Sequence, residues 1–502
     1  MVSSSEEMSF VLIPLMAPGH TIPMVDMAKL FALRRINTTL LLTSQNATRF
    51  KPAIDCAVRS GLPIRIRQLR FPAAEAGLPE GCESMDVLPS YSLARNFFAA
   101  IALLQEQAEK ILGEITPTPN CIISDKHIPW TADIADKLGV PRIVFDGMSC
   151  FTQVCFHNLY GLMARQGIPE TAPFEIPDMP GKIEVTKSQL PPAFNPTLNA
   201  LAGSIDHMKD VRELIRVTEA MAHGYIINSF EELEEKYVDQ FRRLKGGKVW
   251  CLGPLSLCNE DATDMAKRGG DAVAEDGRED GLKWLESWAA KTVVYACLGS
   301  LARVTLGQFI ELALGLEASN CPFILVVKAG ERHAEVEAWI SENGYEKRVK
   351  ERALLIRGWV PQLQILAHPS IGAFLTHCGW NSTLEGIVAG VPMITWPLFA
   401  EQFLNEKFVV EVLKTAVSVG AKSGVHLGEE DGSSPEERVS RESVRSAVQR
   451  VMMIDQGQNG NAMRDRAMKL KEVAMQAVGV GGSSHLNLSL FIEDITSTMK
   501  IC

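Results

Sequence analysis

Residues 359–402 read WVPQLQILAHPSIGAFLTHCGWNSTLEGIVAGVPMITWPLFAEQ. The run GAFLTH at 372–377 is apolar up to a polar end, the composition of a strand covered on both faces. HCGW then makes a tight turn, and a helix is predicted from Asn381. In an open α/β sheet such a strand–turn–helix corner lies at the carboxyl edge, where ligands bind. The backbone N–H groups around Asn381, Ser382 and Thr383 point out of the helix N-terminus, where the dipole favours an anion, so the corner suits a pyrophosphate. Glu385 lies four residues after Asn381 and three after Ser382, hence on the same helical face. Its carboxylate can accept both hydrogens of a ribose cis-diol. Trp359, ending an earlier strand, offers a flat face to a base. Glu401 and Gln402 open the next helix and can hydrogen-bond sugar hydroxyls. Each residue alone has a plain structural reading: Trp359 and Trp380 as core, His377 as a loop histidine, Asn381 or Ser382 as an N-cap. Their joint spacing favours a nucleotide-sugar site.

Outward from this segment the same rhythm repeats. Apolar runs of strand length occur at 10–16, 38–44, 121–125, 142–146 and 225–230, then at 293–300, 323–328, 353–359, 372–377 and 392–398, separated by helical patterns or long connections. Strands without strict alternation, interleaved with helices, imply parallel sheets covered on both faces. Residues 259–281 hold hardly any large apolar side chain and read as a surface linker. The expected organisation is an α/β protein of two Rossmann-like, doubly wound domains facing across a cleft. They span 1–256 and 283–482, joined by a charged linker at 257–282, with a C-terminal helix at 483–502 returning to the first domain. A second polar insertion at 420–438 is expected to be a loop.

A length of 502 residues supports two cores, and 46% hydrophobic with 22% charged residues is ordinary globular composition. The net charge of −10 argues against nucleic acid as a partner. The N-terminus carries two glutamates and no basic cluster, so it does not read as a targeting signal, and no apolar run approaches membrane-spanning length. Eleven scattered cysteines without a CxxC pair fit a reducing compartment, hence a cytoplasmic protein that is not integral to a membrane.

The segment 359–402 closely resembles, along its whole length, the plant secondary-product glycosyltransferase box of family 1 UDP-glycosyltransferases. LPEGCESMD (78–86), VFDGMSCF (144–151) and PDMPGKIEVTKSQLP (177–191) extend the likeness toward the flavonoid, triterpenoid and steroid O-glucosyltransferases. The resemblance implies a GT-B fold, UDP-glucose as donor, a small lipophilic acceptor and a monomer. It places Trp359 against uracil, with Val360 beside it and Gln362 on the nucleoside. Glu385 takes the ribose hydroxyls; His377, Asn381, Ser382 and Ser300 hold the phosphates; Trp380, Glu401 and Gln402 contact the sugar. Gln402 accompanies glucose transfer in the family, where His often accompanies galactose.

His20, in APGH just past the first strand, starts a predicted helix whose positive end is expected to keep the ring neutral. Asp125 ends CIISD at the same sheet edge and can orient the imidazole. By position alone the two read equally as helix and strand-end caps; the resemblance identifies them as the catalytic base and its orienting acid, acting by inversion to give a β-glucoside. No DxD motif exists and the His and Cys residues lack ligand spacing, so no metal or other cofactor is expected. A dinucleotide-dependent oxidoreductase is excluded by the first turn, PLMAPGH, which lacks GxGxxG. A non-catalytic binding protein is disfavoured by the presence of both His20 and Asp125. The acceptor pocket is expected around the apolar Met85, Phe97, Met148, Phe151 and Phe194.

Overall fold

The computed structural model describes residues 8–165, 167–169, 172–195, 205–259, 265–266, 268–269, 275–301, 304–327, 333–424, 439–452 and 458–499. Most of the insertion at 420–438 and part of the linker therefore lie outside the described residues.

The chain divides into two compact units. One comprises Met1–Ser149, Ser204–Asp271 and Gln476–Cys502; the other comprises Cys150–Gly203 and Ala272–Met475. Segment 150–203 thus groups with the second unit, and the C-terminal crossing falls at 476 where 483 was expected.

In the first unit β1 (Ser9–Ile13), β2 (Asn37–Thr43), β3 (Ile64–Leu69), β4 (Cys121–Asp125), β5 (Arg142–Asp146), β8 (Gly224–Ile227) and β9 (Val249–Cys251) form one sheet in the order β3-β2-β1-β4-β5-β8-β9. All its pairings are parallel. Strands β1, β4 and β5 are buried at every position, which is why their sequences run apolar without alternation. The helix Ser483–Met499 completes this unit: the Phe491 ring lies 5.7 Å from Phe10, 5.7 Å from Phe31 and 5.1 Å from Trp250. Burying such a ring contributes about 1.5–3 kcal/mol.

The second unit contains a two-stranded antiparallel pair, β6 (Phe174–Glu175) and β7 (Glu184–Val185). Its main sheet joins β10 (Val293–Cys297), β11 (Phe323–Val327), β12 (Ala353–Arg357), β13 (Ile371–Thr376), β14 (Met393–Thr395) and β15 (Ala416–Ser418), ordered β12-β11-β10-β13-β14-β15 and again parallel. The expected linker is partly structured. Its polar end forms the start of a helix, Glu275–Glu286, and Asn259 is buried, donating to Asp26 at 2.9 Å and accepting from Lys29 at 2.8 Å.

Each sheet reverses its strand order once near the middle, between β1 and β4 and between β10 and β13. Ligands of doubly wound sheets bind outside the carboxyl ends of strands at that switch point. No helix among the described residues is long and apolar enough to cross a membrane.

Candidate functional site

At the switch point of the first unit, the parallel register sets Ile13 of β1 beside Ser124 of β4, so Asp125 projects past the end of β1. Chain leaving β1 turns at Leu15 and Ala17 and enters the helix Pro18–Leu33, where Thr21 Oγ1 donates to Leu15 O at 2.9 Å and ties the turn to the helix. His20, in the first turn, meets the carboxylate: Nδ1 lies 2.6 Å from Asp125 Oδ2. A second histidine uses the other oxygen. His127 brings Nδ1 to 2.8 Å from Asp125 Oδ1, and its backbone N–H donates to the same atom at 2.9 Å. Asp125 is fully buried, and each imidazole keeps about a quarter of its surface exposed.

Burial alone would lower the His20 pKa, but the Asp125 charge and hydrogen bond outweigh it, and the pKa rises above 6.5. The expectation that the helix end keeps the ring neutral is therefore overtaken by the carboxylate partner. Asp125 is the mirror case. Burial would raise it, yet the His20 charge and hydrogen bonds from both imidazoles hold it far below the usual carboxylate range. Beside the pair, Lys126 and Asp146 form a buried ion pair at 2.7 Å, and Lys126 Nζ lies 3.6 Å from Met148 Sδ.

The second unit assembles the expected nucleotide residues from three separated segments. Gln362 Nε2 donates to Glu385 Oε2 at 2.7 Å and to Ser382 Oγ at 3.1 Å, while Tyr295 OH donates to Gln362 Oε1 at 3.1 Å. Tyr295 lies on β10, stacked on Phe374 with centroids 5.2 Å apart, and is a member that sequence reasoning missed. Its identity as a buried strand residue hides a hydroxyl that reaches the site. The helix after β13 begins at Trp380, one residue earlier than expected, and Thr383 N already donates to Gly379 O at 2.9 Å. The Thr383 amide is thus consumed by the helix. The turn is held in place by Asn405, whose Nδ2 donates to Cys378 O at 2.9 Å, with Cys378 in the left-handed region at φ 64°.

His377 follows β13 directly and is packed between two glycines. A Cβ on Gly379 would come within 2.5 Å of its ring, and one on Gly299 closer still. Ser300 follows Gly299 after β10. The His377 Nδ1 atom is buried without a hydrogen-bond partner, and burial pushes its pKa down to about 4. Trp359 and Val360 follow β12; Val360 is buried and Trp359 half-buried. Trp380 buries its side chain 6.1 Å from the Phe408 ring. Glu401 caps the helix Gln402–Lys407, and Gln402 Oε1 accepts from the backbone N–H groups of Leu398 at 2.8 Å and Phe399 at 3.0 Å.

The expected acceptor residues divide. Phe97 is sealed in the first unit's core, 5.5 Å from Phe71; Phe151 packs 5.0 Å from Phe408; Phe194 packs 4.6 Å from Tyr160. All three are fully buried, as large apolar side chains usually are. Met85 and Met148 remain partly exposed.

One trio of metal-ligating side chains comes together among the described residues, His20, Asp125 and His127, with ligand atoms within 4.8 Å of one another. The separation of 105 residues between His20 and Asp125 hid it from any spacing rule.

A family model described as UDP-glucoronosyl and UDP-glucosyl transferase matches residues 274–428. UDP-glycosyltransferase 73E1 of Stevia rebaudiana is 44% identical over 508 residues, covering 100% of this chain and 99% of its own. UDP-glycosyltransferase 73C1 of Arabidopsis thaliana is 45% identical, covering 97% of this chain and 96% of its own. The structure of Glycyrrhiza uralensis UGT73P12, complexed with glycyrrhetinic acid 3-O-monoglucuronide, superposes with a TM-score of 0.87 at 34% identity, over 98% of this chain and 96% of that one. Whole-length identity of this order, with two parallel sheets of matching topology, leaves one conclusion: the chain is a GT-B enzyme that belongs to the UDP-glycosyltransferase family, within its plant group 73.

Proposed function

We propose that the enzyme is an inverting, metal-independent O-glucosyltransferase that moves glucose from UDP-glucose to a hydroxyl of a lipophilic plant metabolite of the flavonoid, triterpenoid or steroid kind. The observation that carries this reading is the 2.6 Å contact between His20 Nδ1 and Asp125 Oδ2 at the carboxyl edge of the first sheet. With Nδ1–H donated to the carboxylate, Nε2 is the basic atom. It takes the proton of the acceptor hydroxyl as that oxygen bonds to the anomeric carbon, and the bond from that carbon to the diphosphate oxygen breaks with its electron pair leaving on UDP. Attack from the face opposite the leaving group turns an α-linked donor into a β-glucoside.

The nucleotide falls to the Gln362–Ser382–Glu385 group, with Trp359 and Val360 against the base, and to the turn formed by Ser300, His377, Asn381 and Ser382 for the diphosphate. A neutral His377 offers a ring N–H to phosphate oxygens without an ion pair. The sugar falls to Trp380, Glu401 and Gln402. Because Gln402 Oε1 is committed to its own loop, donor choice rests on its Nε2. Metal independence is supported by the sequence, which has no DxD motif to hold a diphosphate-bound cation. The ten described cysteines are all free, which supports a cytosolic setting.

On the acceptor side, UGT73P12 at 34% identity is complexed with glycyrrhetinic acid 3-O-monoglucuronide, and UGT89C1 at 26% identity with quercetin. Both support a polycyclic acceptor. Competition of UDP-glucose, UDP-galactose and UDP-glucuronate against one aglycone, with the product's anomeric configuration read by NMR, tests the reading. A β-glucoside formed undiminished after dialysis against EDTA is expected. An α-product, a metal requirement, or equal use of glucose and galactose would each remove the corresponding part.

A further inference from the structure

Asp125 is shared by two imidazoles, and only one of them has a part in the reaction above. The carboxylate's accounts are closed: Oδ2 faces His20 Nδ1, and Oδ1 accepts from both the ring and the backbone of His127. Each ring is therefore anchored through Nδ1 on its inner side, and each side chain is 24% exposed while Asp125 is 1% exposed. No hydrogen bond from a described protein group reaches Nε2 of either ring. The rings stand edge to face with centroids 5.5 Å apart.

We propose that the acceptor site is built for two neighbouring hydroxyls, a vicinal diol or catechol, with His127 as the residue that selects them. The inference rests on the reading of His20 as the base. A ring nitrogen lies roughly 1 Å from its centroid, so the two Nε2 atoms stand between roughly 3 and 8 Å apart; two oxygens about 2.8 Å apart, each with a hydrogen bond of about 2.8 Å, span that range. One hydroxyl gives its proton to His20 Nε2 as its oxygen attacks the anomeric carbon. The adjacent hydroxyl donates to His127 Nε2 and exchanges nothing. His127 Nδ1–H stays on Asp125, so its Nε2 is an acceptor. An acceptor with a single hydroxyl leaves that nitrogen facing carbon, and a polar group stripped of water without a partner penalises binding.

Two flavones that differ by one hydroxyl beside the reacting one provide the test, with UDP-glucose as donor. Wild-type kcat/KM is expected to favour the catechol by about tenfold, the size of one net hydrogen bond. In His127→Phe that ratio should collapse towards one, chiefly through a rise in KM for the catechol. His127→Asn, which can still donate to Asp125, should show the same collapse with an unchanged melting temperature, separating recognition from folding. If His127 merely steadied Asp125, both acceptors would fall in parallel and the ratio would persist, overturning the proposal. Equal wild-type efficiency on both acceptors would also overturn it while leaving the transferase reading intact. Transfer to neither compound nor to any other hydroxylated aglycone would sink the underlying reading with it.

Discussion

His20 and His377 stand at the carboxyl edges of the two sheets, each beside the reversal of strand order, and their chemistry is opposite. His20 has Asp125 at 2.6 Å and a pKa raised above that of a free imidazole; His377 has an Nδ1 without a partner and a pKa pushed down to about 4. Burial acts in the same direction on both. The difference is one carboxylate, and it decides whether a histidine in this fold can shuttle a proton near neutrality or stays a neutral dipole. Topology supplies two equivalent corners; the residue at the end of the neighbouring strand assigns them different work.

Four changes would break or sharpen that contrast. The largest effect is expected from His20→Ala: a loss of about 10²–10⁴ in kcat with UDP affinity unchanged, measured by product formation and by calorimetric titration of UDP. Retention of more than a tenth of wild-type turnover would end the assignment of His20 as base. Next, wild-type kcat/KM should rise with pH through an apparent pKa above 6.5, since the base must be deprotonated and its pKa is raised. Asp125→Asn removes the main opposition to burial and leaves only the weaker pull of Asp146, so the limb should move to lower pH while kcat falls by about 10²–10³; an unmoved limb would detach the limb from the pair. His377→Asn should raise the KM for UDP-glucose about tenfold and leave the pH profile in place, because His377 is already neutral above about pH 4. A displaced profile would mean that the second corner titrates in the working range.

The smallest effect concerns stability. Glu406, which accepts from Thr395 Oγ1 at 2.6 Å, is pushed up to about 7 by burial, with hydrogen bonds from Thr395 and Ser418 offsetting part of it. A raised carboxyl favours the folded state below its unfolded pKa of 4.5, and that contribution is lost as pH rises through about 7. Glu406→Gln should therefore melt like wild type at pH 5 and a few degrees higher at pH 8, roughly 1–3 kcal/mol. Equal melting at pH 8 would show that the site stays hydrated.

Much of this was legible in the chain itself, for physical reasons. β4 and β5 are continuous apolar runs because both faces are covered, and their observed limits match the reading residue for residue. β3, IRIRQL, escaped because an edge strand buries only its ends and carries charge between them. β9 and β15 are three residues each, too short for any period to register. Within the site, the helix-face relation of Ser382 and Glu385 was readable from spacing, and Gln362 meeting both across the fold agrees with it. His127 was not readable: two positions after Asp125, it looks like any loop residue until the carboxylate's second oxygen is located. For Phe97, Phe151 and Phe194 apolar character says that a side chain avoids water, not whether it does so inside a core or against a ligand.

The helix that carries Phe491 also sets a schedule. Phe10, Phe31 and Trp250 are made within the first half of the chain, but the ring that covers them arrives roughly 240 residues after β9. At synthesis rates of about 5–20 residues per second the first unit waits about 12–50 s with an aromatic face open. Its maturation on the ribosome is therefore tied to the synthesis of the helix Ser483–Met499. The two units do not mature one after the other, because the first to be made is the last to be sealed.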